Sequence, residues 1–179
     1  TIQSLLTCLV YVFFKVKPMN QRIKVLLTLP IFLLAFSFMD QSQANEEINI
    51  GQMAPNFNLQ DQNGKWHTLN DYKGQWVVLF FYPKDGTPGC TTEACSFRDN
   101  IFEFKGLDTQ LLGVSLDDVS SHKEFSEKYS LPYPILADVT KECAEKYGVM
   151  GTFMMMSIAK RESFIIDPEG KIVKHYKKV

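Results

Sequence analysis

The sequence predicts an α/β fold, a mixed central β-sheet flanked by helices, from three observations. Apolar runs of strand length, foremost Trp76–Phe81, alternate with segments whose apolar residues recur at helical spacing. Turn signals rich in Gly, Pro and Asn separate them. Near the end of the chain, Glu162–Ile166 and Lys171–Tyr176 flank Pro168-Glu169-Gly170, a hairpin pattern that adds antiparallel strands to an otherwise alternating order.

Taken in order, Asn45–Ile50 is a short polar lead-in. Phe57–Gln60 and Trp66–Leu69 then flank Asp61-Gln62-Asn63-Gly64, whose Asn-Gly pair is a strong hairpin signal. Trp76–Tyr82 reads as a central strand. Thr91–Phe104 reads as one helix, because Phe97, Ile101 and Phe104 fall on one face. Leu111–Leu116 is a second buried strand. Ser120–Tyr129 is helical, with Phe125 and Tyr129 on one face, and Tyr133–Ala137 is a short strand. Lys141–Tyr147 is a short helix stopped by Gly148. A strand followed by a cysteine at the start of the next helix is the thioredoxin-type arrangement, so the expected fold is thioredoxin-like.

The 179 residues fit one domain, and 45% hydrophobic with 22% charged residues is enough to build a core. The first part of the chain stands apart. Met19-Asn20-Gln21-Arg22-Ile23-Lys24 precedes the apolar stretch Val25–Phe38, and Ser42-Gln43-Ala44 offers small residues at the positions a signal peptidase reads. Basic, apolar, small-residue site is the order of a secretory leader. The expected organisation is therefore a non-native or upstream segment over 1–18, a signal peptide over 19–44 and one domain over 45–179. An exported location, the bacterial periplasm, follows; an uncleaved membrane anchor is the alternative. Cys8, after Leu5-Leu6-Thr7, lacks the preceding basic and apolar segments of a lipoprotein site. Removing 1–44 takes Lys15, Lys17, Arg22 and Lys24 against Asp40, so a net charge of −1 becomes −4. A mildly acidic domain without a basic stripe is a poor nucleic-acid binder, and membrane contact is expected through the signal segment alone.

Cys90, Cys95 and Cys143 remain in that domain. Three cysteines are too few for a disulfide scaffold and odd in number, so one functional pair plus a bystander fits. The informative segment is Phe81-Tyr82-Pro83-Lys84-Asp85-Gly86-Thr87-Pro88-Gly89-Cys90-Thr91-Thr92-Glu93-Ala94-Cys95. It puts Cys90 in the first turn of a helix, where free N–H groups and the helix dipole favour a thiolate.

These residues resemble the peroxiredoxins, and among them the peroxiredoxin Q, or bacterioferritin comigratory protein, group. Pro83 to Cys90 matches the pattern P-x-x-x-T-x-x-C at each fixed position. Gly51–Phe57, Ser121-His122 with Phe125, Tyr147-Gly148-Val149 and Arg161–Asp167 also fit. The resemblance covers nearly the whole domain and implies a thiol peroxidase that reduces hydrogen peroxide and organic hydroperoxides with no metal, haem, flavin or other cofactor. It implies Cys90 as the peroxidatic nucleophile, Cys95 as the resolving thiol within the same subunit, and Arg161 as the group that holds the thiolate and hydrogen-bonds the peroxide. The Thr87 hydroxyl would orient peroxide or thiolate, the Gly89 and Cys90 N–H groups would form an anion hole, and Pro83 would shield the sulfenic acid. A thioredoxin-like dithiol protein is the implied reductant, and a monomer or weak homodimer the expected state. Five residues along a helix separate two Cα atoms by ~8.6 Å, beyond the ~7 Å a disulfide spans, so the helix must unwind before Cys90 and Cys95 bond.

Other residues invite plainer readings. Cys143 beside Ala144 reads as a small core residue. Thr87 also suits a helix cap, and Glu93 reads as a first-turn acid serving the dipole. His67, His122 and His175 show no ligand spacing and read as surface or structural. Met150, Met154, Met155 and Met156 read as core or loop filling, against a hydrophobic wall or a dimer contact. Two departures from the group stand out: the stretch from Gly151 to Arg161 is short, and the group continues into a last helix where this sequence ends at Val179. Two rival functions remain, an exported thiol–disulfide oxidoreductase and a copper carrier. The first usually carries C-x-x-C, which is absent; the second wants a histidine near its cysteines.

Overall fold

Alternating side-chain direction along strands explains how this chain makes two cores from one sheet. The computed structural model describes residues 48–177, within a unit spanning Asn45–Val179. The expected upstream segment and signal peptide lie outside the described residues.

Seven strands form a mixed sheet: β1 (Asn58–Asp61), β2 (Trp66–Thr68), β3 (Trp76–Phe81), β4 (Thr109–Ser115), β5 (Ile135–Ala137), β8 (Glu162–Ile166) and β9 (Ile172–Tyr176). Their order is β2-β1-β5-β4-β3-β8-β9. The pairs β3–β4 and β4–β5 are parallel and the other four are antiparallel. The fold class expected from the sequence, thioredoxin-like with a mixed sheet, is the fold observed.

Val77, Leu79 and Phe81 of β3 point to one face, where Leu112, Val114, Phe164 and Ile166 join them. Helix α4 (Glu142–Lys146) covers that face with Cys143 and Ala144, followed by Tyr147. Gly148 ends this helix with φ +66°, a backbone region that favours glycine. Phe80 and Tyr82 point the other way, with Leu111 and Ile135. Helices α1 (Pro88–Asp99), α2 (Ile101–Gly106) and α3 (Val119–Tyr129) bring Cys90 and Ala94, Ile101, and Phe125 to them. Each fully buried large side chain here contributes about 1.5–3 kcal/mol. The second core also requires a glycine at 113, since a Cβ there would sit 2.7 Å from the Phe80 ring.

One expectation fails. The helix expected over Thr91–Phe104 starts earlier, at Pro88, and breaks at Asn100 (φ −103°, ψ 12°), whose side-chain amide donates to the Ser96 carbonyl at 2.8 Å. Apolar periodicity runs through the break because α2 presents Ile101 to the same core and Phe104 packs on Phe97. The methionine stretch, read as core or loop filling, is core only at Met150 and turn at Met154 and Met155. It forms a separate hairpin, β6 (Met150–Phe153) with β7 (Met156–Ala159), whose turn holds Met154 and Met155 at φ +46° and +68°. Met154 is 79% exposed and Met155 98%. Met150 alone of the four packs against the core.

Candidate active site

Strand β3 delivers the site. Its last residue, Phe81, faces Val114 on β4 and Glu162 on β8, so the loop after β3 and Arg161 just before β8 emerge at the same end of the sheet. Tyr82 extends the ladder by donating to the Val114 carbonyl at 3.1 Å. Pro83, which has no N–H, ends it. Gly86 turns at φ +69°, and Thr87 sits in extended conformation at the N-cap position of α1, with Pro88 as the first helical residue.

That start decides what surrounds Cys90. The ladder of α1 opens with Thr91 N–H donating to the Thr87 carbonyl at 2.9 Å, so the helix itself uses neither the Gly89 nor the Cys90 N–H. Cys90 is 1% exposed, and Arg161 Nη2 donates to its Sγ at 3.1 Å. A guanidinium and a helix N-terminus both favour negative charge on that sulfur. Arg161 Nη1 makes an ion pair with Glu93 Oε2. Glu93 is therefore not simply a first-turn acid: it is half-buried against Arg161, and its other oxygen, Oε1, is buried without a partner. Burial pushes its carboxyl above the usual range despite the opposing charge of Arg161.

Thr87 does not cap α1. Its hydroxyl donates to the Lys84 carbonyl at 3.1 Å. Cys95 is half-buried on the same helix, with Tyr133 and Arg98 as electrostatic neighbours. Cys90, Cys95 and Cys143 are all free thiols. Burial, with Asp138 adding to it, pushes the Cys143 thiol well up in the other core. An open groove of about 510 Å³ runs past the site, lined by Gly89, Thr92, Glu93, Ser96, Phe97 and Arg161. The structure thus brings Cys90, Arg161 and Glu93 together. Pro83 and Thr87 frame the loop, and Cys95 waits further along the helix.

A polar network fixes the loop from behind. Asp85 accepts from Tyr82 Oη at 2.7 Å, Ser121 Oγ at 2.8 Å and His122 Nδ1 at 2.8 Å, while its own N–H donates to Asp117 at 2.9 Å. Burial works against the Asp85 carboxylate, but the His122, Tyr82 and Ser121 bonds outweigh it and hold its pKa below the usual range. None of the three histidines is a surface residue. Each pairs with a carboxylate: His67 with Asp61 at 3.0 Å, His122 with Asp85, and His175 with Glu162 at 2.6 Å. Sequence reasoning missed Glu93, Asp85 and His122 as a set. Ser121-His122 was legible as part of the resemblance, but its partner lies 37 residues away. Among the described residues no three His, Cys, Asp or Glu side chains gather so as to hold a metal ion.

Comparison with known proteins accords with this geometry. Residues 50–175 match the AhpC/TSA family. Peroxiredoxin Bcp of Bacillus subtilis (strain 168) is 44% identical over 138 residues, covering 74% of this chain and 87% of that one. The chain spans 58% of the length of the chloroplastic peroxiredoxin Q of rice, to which it is 40% identical. A mutant of PrxQ from Xylella fastidiosa superposes with a TM-score of 0.71 at 33% identity, over 75% of this chain and 88% of that one. A Xanthomonas campestris bacterioferritin comigratory protein, solved in a study of its alkyl peroxide reduction, gives 0.64 at 34% identity, over 69% and 81%. Nothing in these likenesses favours the oxidoreductase or copper-carrier readings. A buried cysteine bonded by an arginine at a helix N-terminus, on this sheet and among these relatives, has one reading: the chain belongs to the AhpC/TSA family, in its Bcp and peroxiredoxin Q group of thiol-dependent peroxidases.

Proposed function

We propose that the protein reduces hydrogen peroxide and organic hydroperoxides through Cys90 and Cys95. The observation that carries this reading is the Arg161 Nη2–Cys90 Sγ bond of 3.1 Å at the N-terminus of α1. The Cys90 thiolate attacks one peroxide oxygen and the O–O bond breaks. The departing hydroxide or alkoxide takes a proton and leaves as water or alcohol, and Cys90 becomes a sulfenic acid. Arg161 and the Gly89 and Cys90 N–H groups offset the charge that moves onto oxygen. Thr87, its proton committed to Lys84, presents lone pairs that accept from the peroxide O–H. The groove along Phe97 takes the organic part of a larger hydroperoxide.

The Cys95 thiol then attacks the sulfenic sulfur, expelling water and forming a disulfide. Both residues lie on one continuous helix, so this step needs the first turns of α1 to unwind. A thioredoxin-like dithiol protein reduces the disulfide, and Pro83 limits access to the sulfenic acid before it closes. The enzyme works after export, with the leader over 19–44 removed, as a monomer or weak homodimer.

Stopped-flow fluorescence of the reduced protein with one equivalent of hydrogen peroxide tests the chemistry. Rapid consumption is expected to vanish in Cys90→Ser and to stall at a sulfenic acid in Cys95→Ser. A wild-type protein no faster than free cysteine removes the reading. N-terminal sequencing of the protein produced from the full chain is expected to begin at Asn45; a start upstream of the apolar stretch argues for the anchor.

A further inference from the structure

The loop in front of Cys90 is held by a residue with no contact to the thiol. His122 is fully buried on α3, and its Nδ1 must be the donor to Asp85 Oδ2, since a carboxylate has no proton to give. Its other nitrogen, Nε2, is buried without a partner. An unpartnered buried nitrogen is costly, and an apolar side chain of similar size would avoid that cost while losing the bond to Asp85. The ring therefore has one polar role here, and it is directed at the active-site loop.

Asp85 is also where the two halves of that loop meet the scaffold. Behind it stand Tyr82, just after β3, and Asp117, which accepts from Ser115 Oγ of β4 at 2.7 Å. Ser121 joins His122 from the first turn of α3. Ahead of it the helix is tied to other elements by Arg161 at Cys90 and Glu93 and by Tyr133 Oη, which donates to the Ala94 carbonyl at 2.8 Å. In α1, Thr91 Oγ1 and Glu93 Oε1 are both buried without partners. An unwinding of α1 that begins at these residues meets its first firm anchor at Asp85, five residues before Cys90, a tether of ~17 Å when extended.

We infer that His122 is a positioning residue: through Asp85 it sets the balance between the helical, peroxide-reactive form of α1 and the unwound form that closes the disulfide. The inference rests on the peroxidase mechanism proposed above. Losing the donated bond favours the unwound form, so the two chemical steps respond in opposite directions. Peroxide attack slows because fewer molecules hold Cys90 against Arg161. Disulfide closure quickens because more have left the helix.

The test uses the full chain carrying His122→Phe, which keeps a ring and removes the donor, and His122→Asn, whose amide nitrogen stands in for Nδ1. In His122→Phe, sulfenic acid formation is expected to slow about tenfold and disulfide closure to quicken by a similar factor. Hydrogen exchange of the reduced protein over residues 87–95 is expected to quicken likewise. His122→Asn restores all three towards wild type. Should His122→Phe fold poorly, Ser121→Ala, which removes a second donor from the same oxygen, is expected to move the three readouts the same way by about threefold. Unchanged rates, both rates falling together, or His122→Asn as impaired as His122→Phe overturns the inference. A wild type that ignores peroxide while exchange still responds to His122→Phe would instead sink the proposed mechanism and leave the loop clamp standing.

Discussion

Cys90 lies between two half-buried carboxylates that the fold treats in opposite ways. Asp85, upstream, accepts from three side chains and is held below the usual carboxylate range. Glu93, one turn downstream, has Arg161 as partner on one oxygen and nothing on the other, and burial holds it above that range. The difference teaches where this site is finished and where it is provisional. The loop is bonded to the scaffold in its resting position, whereas the first turns of α1 keep polar groups that the folded state leaves wanting. A segment that must unwind in each catalytic cycle is expected at the low-stability end of a structure.

The comparison can be broken most severely at Asp85. Asp85→Ala strands the buried His122 and Tyr82 donors and is expected to cost about 3 kcal/mol at neutral pH, read by chemical denaturation. Because the folded pKa is lowered, the contribution of Asp85 is fully present above the unfolded value of 3.8 and is lost as pH falls through the folded value. The gap between wild type and Asp85→Ala therefore persists to pH 4 and narrows only in stronger acid, by the share that rests on the ionised carboxylate.

Glu93→Gln sharpens the comparison with a smaller effect of opposite sign. A carboxylate whose folded pKa is raised destabilises the fold above that pKa and costs nothing below the unfolded value of 4.5. The variant is expected to be the more stable at neutral pH, by up to about 1 kcal/mol, with the advantage gone near pH 4. Peroxide consumption falls a few-fold in the same variant, because Arg161 loses its charged partner. A variant less stable than wild type at pH 7 would mean that the ion pair outweighs the burial.

How much of this was legible varies with how local the cause is. The hairpin around Asp61-Gln62-Asn63-Gly64 was readable because Asn-Gly is written into the turn. Glu162–Ile166 was readable as a strand because its apolar run is bounded by charged residues. The hairpin Met150–Ala159 was not, since its turn places two methionines where Asn or Gly is the usual signal. The break at Asn100 hid behind an apolar pattern that continues across it. At the site, Cys90 and Arg161 carry motif positions that can be read in order. The links from Asp85 to His122 and from Glu93 to Arg161 join residues 37 and 68 positions apart, and only the fold brings them together.

The pairing of Phe81 with Glu162 has a consequence for how this site tolerates change. Cys90 follows from the end of one strand and Arg161 from the start of its neighbour, so the sulfur–guanidinium distance is in effect calibrated by the alignment of β3 with β8. Sliding β8 by one residue would shift Arg161 along the strand by ~3.3 Å and exchange the faces of the residues behind it. Insertions and deletions in the exposed turn at Met154–Met155 leave that alignment alone, whereas losing one residue inside Glu162–Ile166 would misplace the arginine without touching a single residue of the cysteine loop.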